Sequence, residues 1–351
     1  MKKIAMIALA IMLIIPEITY CKRITLDGDD YQEDGNGIAS ATPGTTSPCC
    51  FLRNFIQING KVCEVCILNS FTLDNAKDNL AIICIPSSAQ TLSNGCFGNR
   101  LNLSIVTFES NSKLTAISDS AFRNCHSLIS ICLPASLHTI GGRCFAECSK
   151  LSNVTFALGT RLTRFSEYTF NQCHSLKSIC LPSSLQTISE WCFQACGLGP
   201  GLSNVINVTF AFGSQLTIMG DSAFCDCALE SICIPASVET IGKWCFRRSS
   251  NLSSVTFESE SQLTIMGDSA FYDCASLESI CIPASVETIG RSCFGFTIFT
   301  AGLSSIVFEP SPQPITIEEG AIPAGVTVNA NGRPLIFIYE YCTDIRSYTY
   351  I

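Results

Sequence analysis

A short string recurs along most of this 351-residue chain and restricts the folds that it can adopt. The string is I-C-[IL]-P, and its five copies lie 48, 48, 53 and 48 residues apart. The copies begin at Ile83, Ile131, Ile179, Ile232 and Ile280. A period of this length is the sequence signature of a repeat architecture, in which each copy forms one structural unit.

Each 48-residue unit contains two half-repeats of about 24 residues with the same apolar skeleton. The half-repeats start at Leu80, Leu103, Leu128, Leu151, Leu176, Leu202, Leu229, Leu252, Leu277 and Leu303. In the skeleton L-x-x-I-C-L we expect the first, fourth and sixth residues to point inward and the others outward, because side chains alternate along a strand. The proline that follows ends the strand, since it has no N–H group for ladder pairing.

This skeleton predicts a β-rich solenoid. A single half-repeat cannot bury its apolar face, whereas stacked half-repeats bury each other's. A phenylalanine in a C-F or A-F pair fills the core of every turn, and no long segment with a helical period lies between the strands. We therefore expect a right-handed leucine-rich repeat coil of about ten 24-residue half-repeats. Glycines at the next bend are expected to need positive φ; they are Gly141, Gly220, Gly242, Gly267 and Gly290.

The full pattern resembles a known family. A-F-x-x-C-x-S-L-x-S-I-x-L-P-x-S-[LV]-x-T-I-G is similar to the BspA-like, or Treponema pallidum-type, leucine-rich repeats, over about residues 76–310. The resemblance implies a secreted or surface protein of bacteria or protists and a role in adhesion to host matrix proteins or to other cells. This chain departs from the family in carrying Cys, where Ala is usual, before the repeat phenylalanine. These residues are Cys96, Cys144, Cys192, Cys245 and Cys293.

The N-terminal residues are predicted to lie outside the solenoid. Lys2 and Lys3 precede a twelve-residue apolar run, which is shorter than the roughly 20 residues of a membrane span and typical of a secretory signal peptide. We therefore assign residues 1–20 to a signal peptide. Cys21 either lies at the cleavage site or is itself lipidated, although the bulky Tyr20 before it fits a lipidation motif poorly. Residues 21–48, acidic and then rich in Gly, Thr, Ser and Pro, predict a flexible linker.

Residues 49–75 and 311–351 are predicted to form small caps, because the terminal turns of a solenoid otherwise expose apolar edges. Asn59-Gly60 lies between two alternating runs, which indicates a β-hairpin, and Asn331-Gly332 indicates a turn in a strand-rich C-terminal segment. The front cap contains C-C-x₁₂-C-x₂-C, which suits capping disulfides, unpaired thiols or a zinc site. Its cysteines are Cys49, Cys50, Cys63 and Cys66.

Composition and motif content argue against catalysis and nucleic-acid binding. The 21 basic and 29 acidic residues give a net charge of −8, whereas nucleic-acid binders carry a basic footprint. There are only three histidines, and we expect His126 and His174 in surface turns. The chain has no G-x-S-x-G, P-loop or H-E-x-x-H motif. We therefore predict no enzymatic activity, no cofactor, no metal and no transmembrane span.

The cysteines of the repeats fall into columns. The outward Cys of I-C-[IL]-P and the Cys of C-F each occur in alternate half-repeats, so neighbours lie roughly 9.6 Å apart, beyond the ~7 Å limit for a disulfide. These are predicted to be free thiols. In a third column, a Cys follows the repeat Phe by three residues in successive half-repeats. Neighbouring cysteines of this column are therefore separated by about one strand spacing, which is within reach of a disulfide. It offers the candidate disulfides Cys125–Cys148 and Cys173–Cys196, with buried free thiols as the alternative.

The outward strand face is the best candidate for a binding surface, because small polar side chains let a partner approach closely along many repeats. Its candidate residues are Ser130, Cys132, Ser178, Cys180, Ser231, Cys233, Ser279 and Cys281. Alternatively, Ser and Thr only form hydrogen-bonded ladders on a solvated sheet. We expect an exported, non-catalytic recognition or adhesion protein, secreted or at the cell surface, whose partner is a host matrix or cell-surface protein. A disulfide-cross-linked envelope protein and a secreted effector acting in a host cell are the alternatives.

Overall fold

The structure, a computed structural model, describes residues 52–58, 61–67, 82–197, 206–295, 302–339 and 347–348 of the chain. Of 52–58, 61–67 and 347–348 it describes the backbone. The predicted signal peptide, Cys21 and the linker lie outside the described residues, as do Cys49 and Cys50.

Each turn of the coil contributes one strand of about four residues to a first sheet. These long strands are β3 (Ile82–Ile85), β5 (Ile105–Phe108), β7 (Ser130–Leu133), β9 (Asn153–Phe156), β11 (Ser178–Leu181), β13 (Asn207–Phe210), β15 (Ser231–Ile234), β17 (Ser254–Phe257), β19 (Ser279–Ile282), β21 (Ser305–Phe308) and β23 (Thr327–Asn329). They pair in parallel, with breaks in the ladder between β13 and β15 and between β17 and β19. Before them, β1 (Leu52–Ile58) and β2 (Lys61–Ile67) pair antiparallel from Leu52↔Ile67 to Ile58↔Lys61, which confirms the predicted hairpin.

A bend after each long strand leads to a short strand in a second sheet. The short strands are β4 (Thr91–Leu92), β6 (Ala116–Ile117), β8 (Thr139–Ile140), β10 (Arg164–Phe165), β12 (Thr187–Ile188), β14 (Ile218–Met219), β16 (Thr240–Ile241), β18 (Ile265–Met266), β20 (Thr288–Ile289), β22 (Ile315–Ile317) and β24 (Leu335–Phe337), with β25 (Ser347–Tyr348) antiparallel on β24. The other eleven run parallel in one continuous sheet. The fold is therefore a parallel β-solenoid of eleven turns, and the described residues contain no helix.

The buried spine lies between the two sheets. As predicted from the skeleton, Leu128, Ile131 and Leu133 are buried, whereas Ser130 and Cys132 point outward. Nine phenylalanine rings stack from turn to turn with centroids 5.0 to 5.6 Å apart; they are Phe97, Phe122, Phe145, Phe170, Phe193, Phe224, Phe246, Phe271 and Phe294. These spacings are within the range of favourable offset stacking. The ring ladder therefore links nine of the eleven turns to one another.

The bend glycines do not have the positive φ that we expected. Positive φ occurs instead two residues before the repeat phenylalanine, for example at Ser120 (57°) and Trp191 (56°). Gly141 is needed because the turns approach closely there: a Cβ on it would lie 2.4 Å from the backbone nitrogen of Asp119. A Cβ on Gly290 would similarly lie 2.6 Å from the nitrogen of Asp268. The expectation was wrong because a bend glycine can relieve crowding between turns as well as strain within one.

The C-terminal segment extends the coil before it ends. Strands β23 and β24 continue the two parallel sheets and add one turn beyond the ten half-repeats. Asn331 and Gly332 have φ of 48° and 77°, which confirms the predicted turn. Arg333 is buried, and its guanidinium donates to the carbonyl oxygens of Gln313 (3.2 Å), Pro283 (3.1 Å) and Val286. This one side chain therefore ties the last turn to the two before it.

Truncating one ring of the ladder tests its contribution to stability. We expect Phe145→Ala to lower the free energy of unfolding by about 3–5 kcal/mol, because the ring is fully buried and the cavity has rigid walls. The matched control is Phe212→Ala, since the Phe212 ring is fully exposed and its loss should leave stability unchanged. Denaturant unfolding of both variants measures the difference, and similar losses in the two would contradict the ring ladder.

Candidate interaction surface

The outward side chains of the long strands form one exposed surface, which we call the strand face. All eight candidate residues, from Ser130 to Cys281, are exposed and lie on it. Parallel register places Cys132 beside Thr155, Cys180 beside Thr209 and Cys233 beside Thr256. The predicted alternation of Cys and Thr is therefore present, and the exposed thiols lie two rungs apart.

Serines at the edge of the strand face take part in hydrogen-bonded ladders. The hydroxyl of Ser152 donates to the carbonyl oxygen of Ile129 (3.1 Å), and Ser304 donates to that of Glu278 (2.9 Å). Each links two successive turns. By contrast, the side chains of Ser130, Ser178, Ser231 and Ser279 form no hydrogen bond with any described residue. The ladder interpretation therefore holds at the edge, while these four central hydroxyls are available to a partner.

A groove of about 510 Å³ lies across β9, β11 and β13 on the strand face. Thr155, Cys180 and Thr209 line the groove. So does the exposed turn that directly follows β9 and contains Leu158; we call the turn after such a strand a tip. Leu158 and Phe212, on tips after β9 and β13, are almost completely exposed. Our sequence reasoning missed both residues. An alignment of the half-repeats contains the signal, because A-L-G and A-F-G stand where other turns have E-S-N or E-S-E.

The third cysteine column contains buried free thiols rather than the candidate disulfides Cys125–Cys148 and Cys173–Cys196. The four thiols donate instead to carbonyl oxygens one turn earlier: Cys125 to Phe97 (3.1 Å), Cys148 to Phe122 (3.1 Å), Cys173 to Phe145 (3.2 Å) and Cys196 to Phe170 (3.1 Å). Ser249 makes the same bond to Phe224 (2.8 Å). At these five positions a small hydrogen-bond donor, either Cys or Ser, therefore links one turn to the turn before it.

Burial separates the thiols into two classes. It raises the pKa of Cys96 and Cys196 to about 12, and it also raises the pKa of Cys144, because a thiolate is poorly solvated in the core. Cys132, Cys180 and Cys233 are exposed. At Cys281, partial burial and then the Glu309 carboxylate raise the pKa. The thiols that reagents can reach should therefore be those of the strand face.

The described residues offer little for metal chemistry. They contain no cluster of three or more His, Cys, Asp or Glu residues arranged to bind a metal. His126 is exposed, and His174 is half-buried with Nδ1 3.2 Å from the carbonyl oxygen of Ala195. Cys63 and Cys66 lie on β2, of which the backbone alone is described.

Comparisons with known proteins identify the family. A sequence model of a protein family, described as the BspA type leucine-rich repeat region, matches residues 67–199 and 202–313 in six copies. The matched residues make up more than half of the chain. The chain therefore belongs to the BspA-type leucine-rich repeat family. A search of curated proteins finds no match.

Solved structures with a similar course of the chain include three bacterial proteins. The pneumococcal vaccine antigen PcpA is 22% identical, with 82% of this chain and 76% of that chain covered and a TM-score of 0.47. A leucine-rich repeat protein from Bacteroides ovatus is 19% identical (82% and 98% covered, TM-score 0.38). A leucine-rich cell surface protein from Faecalibacterium prausnitzii is 18% identical (87% and 97% covered, TM-score 0.35).

Alkylation of the native protein tests the two classes of thiol. At pH 8 we expect iodoacetamide to modify Cys132, Cys180 and Cys233 first and Cys281 more slowly, because its pKa is raised. Cys144 and Cys196 should react only after unfolding, since burial raises their pKa and excludes the reagent. Peptide mapping by mass spectrometry gives the order of modification. Early modification of the core thiols would contradict the buried assignment.

Proposed function

We propose that this protein is an exported, non-catalytic recognition or adhesion protein that binds a protein partner along its strand face. The observation that supports this most directly is the row of exposed hydroxyls at Ser130, Ser178, Ser231 and Ser279, which have no partner among the described residues. A row with this regular spacing can make many weak contacts with one extended surface. Such contacts suit the binding of an extended partner surface.

Location and partner class follow from other observations. The apolar run after Lys2 and Lys3 is typical of a secretory signal, and the part of the chain that the structure describes contains no apolar helix of membrane-spanning length. We propose that the protein is secreted or held at the cell surface. Its partner is a host matrix or cell-surface protein rather than a nucleic acid, since the net charge of −8 would repel phosphates.

Introducing charges on the strand face tests this function. A variant with Glu at Ser130, Ser178, Ser231 and Ser279 should lose most capture of purified matrix proteins or host-cell surface extract. Four buried carboxylates at an interface without partners oppose binding strongly. The matched control places Glu at Ser110, Ser250, Ser259 and Ser276, which are exposed outside the strand face. Equal capture by both variants would show that the strand face is not the binding site.

The exposed thiols favour a second candidate, a structural envelope protein joined by intermolecular disulfides. Cys132, Cys180, Cys233 and Cys281 are exposed, although the Thr residues between them show that this position does not require Cys for packing. Exposed free thiols in an oxidising compartment form disulfides between chains.

Gel electrophoresis of the protein from its native envelope distinguishes the candidates. Cross-linking predicts high-mass species that disappear on reduction and that are absent when the four exposed cysteines are changed to Ser. A single monomer band without reductant would exclude the structural role and leave the recognition role.

A further inference from the structure

Five equivalent tips follow the strands β5, β9, β13, β17 and β21, and three of them begin with Glu. Each Glu carboxylate accepts a hydrogen bond from a backbone N–H one turn earlier: Glu109 from Ser87 (2.9 Å), Glu258 from Ala236 (3.0 Å) and Glu309 from Ala284 (2.9 Å). Ser87 also donates its hydroxyl to Glu109 (3.0 Å). The loop after each preceding strand is thus a repeated carboxylate-binding site that the chain fills with its own side chain.

The two central tips lack this carboxylate. Ala157 and Ala211 occupy the position of Glu109, as their backbone N–H groups show by donating to the preceding turn in the same way. The loop facing Ala211 contains Ser183, which follows a proline and precedes a second serine as Ser87 does. Neither the N–H nor the hydroxyl of Ser183 has an acceptor among the described residues. Ser183 is therefore a copy of the Ser87 carboxylate site without its internal ligand.

Apolar side chains lie on the tips of the turns on either side of this site. Next to the alanines, Leu158 and Phe212 replace the polar Ser110 and Ser259 of the flanking tips and are almost completely exposed. Ser183, Ala211 and Leu158 line the groove on the strand face, and no charged residue lines it. Thr160, in the same wall, has a buried hydroxyl without a partner. The groove's volume of about 510 Å³ is within the usual range for ligand sites, ~300–1,000 Å³.

We propose that this groove binds an extended segment of the protein partner that carries an acidic side chain beside an apolar one. The acidic carboxylate accepts hydrogen bonds from the N–H and hydroxyl of Ser183, as Glu109 does from Ser87. The neighbouring apolar side chain packs on Leu158 and Phe212 and removes their surface from water. A neutral side chain makes weaker hydrogen bonds with the same donors, since bonds to a charged acceptor are roughly twice as strong. This inference rests on the proposed function and specifies the chemistry of the partner.

A variant that supplies the missing carboxylate tests the site in the full chain. Ala211→Glu places an acceptor against Ser183 and should preserve or raise the thermal unfolding midpoint, as expected for a bond that the fold already uses at three turns. The probe is a synthetic peptide of alternating phenylalanine and glutamate, with a glutamine counterpart, measured by fluorescence polarisation. The glutamate peptide should bind the unaltered protein about tenfold more tightly than the glutamine peptide. Ala211→Glu should remove that difference.

Two further variants separate the apolar and polar parts of the site. Phe212→Ser should weaken both peptides equally, and Ser259→Glu, which adds a carboxylate to a neighbouring tip, should change neither. Equal binding of the two peptides to the unaltered protein, or unchanged binding in a folded Ala211→Glu variant, would overturn the inference. A dimer that Ala211→Glu converts to monomer would also overturn it, by showing that a second copy covers the groove.

Failure of this inference can be distinguished from failure of the proposed function. If the strand-face Glu variant loses its matrix partner while the unaltered protein binds neither peptide, this inference fails and the proposed function stands. If the strand-face variant keeps its partner, the proposed function fails whatever the peptides do.

Discussion

The contact between one turn and the next is the interaction on which the whole structure depends. No turn has a core of its own, so each apolar side chain is buried by the turns above and below it. The stack from Phe97 to Phe294 and the two parallel sheets repeat this contact along the solenoid. The close approach of successive turns also requires glycine at some bends, because a Cβ on Gly141 would collide with Asp119 of the preceding turn. Inward positions therefore vary little from turn to turn.

Outward positions are free of that requirement, so the residues there can differ from turn to turn. The Cys132 position is occupied by Cys or Thr in alternate strands without any change in register. At the tips, Glu109 and Ala211 occupy equivalent positions with the same backbone hydrogen bond to the preceding turn. Where the packing does not choose a residue, the proposed function accounts for the one that is present. The residues that recur on the strand face and the two apolar tips are of this kind.

Periodicity predicted the solenoid and the inward and outward alternation, and the Asn59-Gly60 turn signal predicted the hairpin before the first full turn. The sequence could not show which interaction a particular residue makes. The spacing of Cys125 and Cys148 fits either a disulfide or two hydrogen-bonded thiols, and only the position of the Phe97 and Phe122 carbonyl oxygens distinguishes them. Likewise, a glycine at a bend indicates crowding as readily as positive φ. Leu158 and Phe212 were missed because their meaning depends on comparison with the tips of other turns, not on their own motif.

Removing part of the coil tests most directly whether the turns stack on a common spine. Deleting residues 128–175 takes out one complete 48-residue unit and joins equivalent positions, whereas deleting 128–163 leaves the two ends out of phase. Thermal unfolding followed by circular dichroism should show a cooperative, β-rich protein for the first deletion and no cooperative transition for the second. Loss of the folded state in both, or its retention in both, would contradict the account.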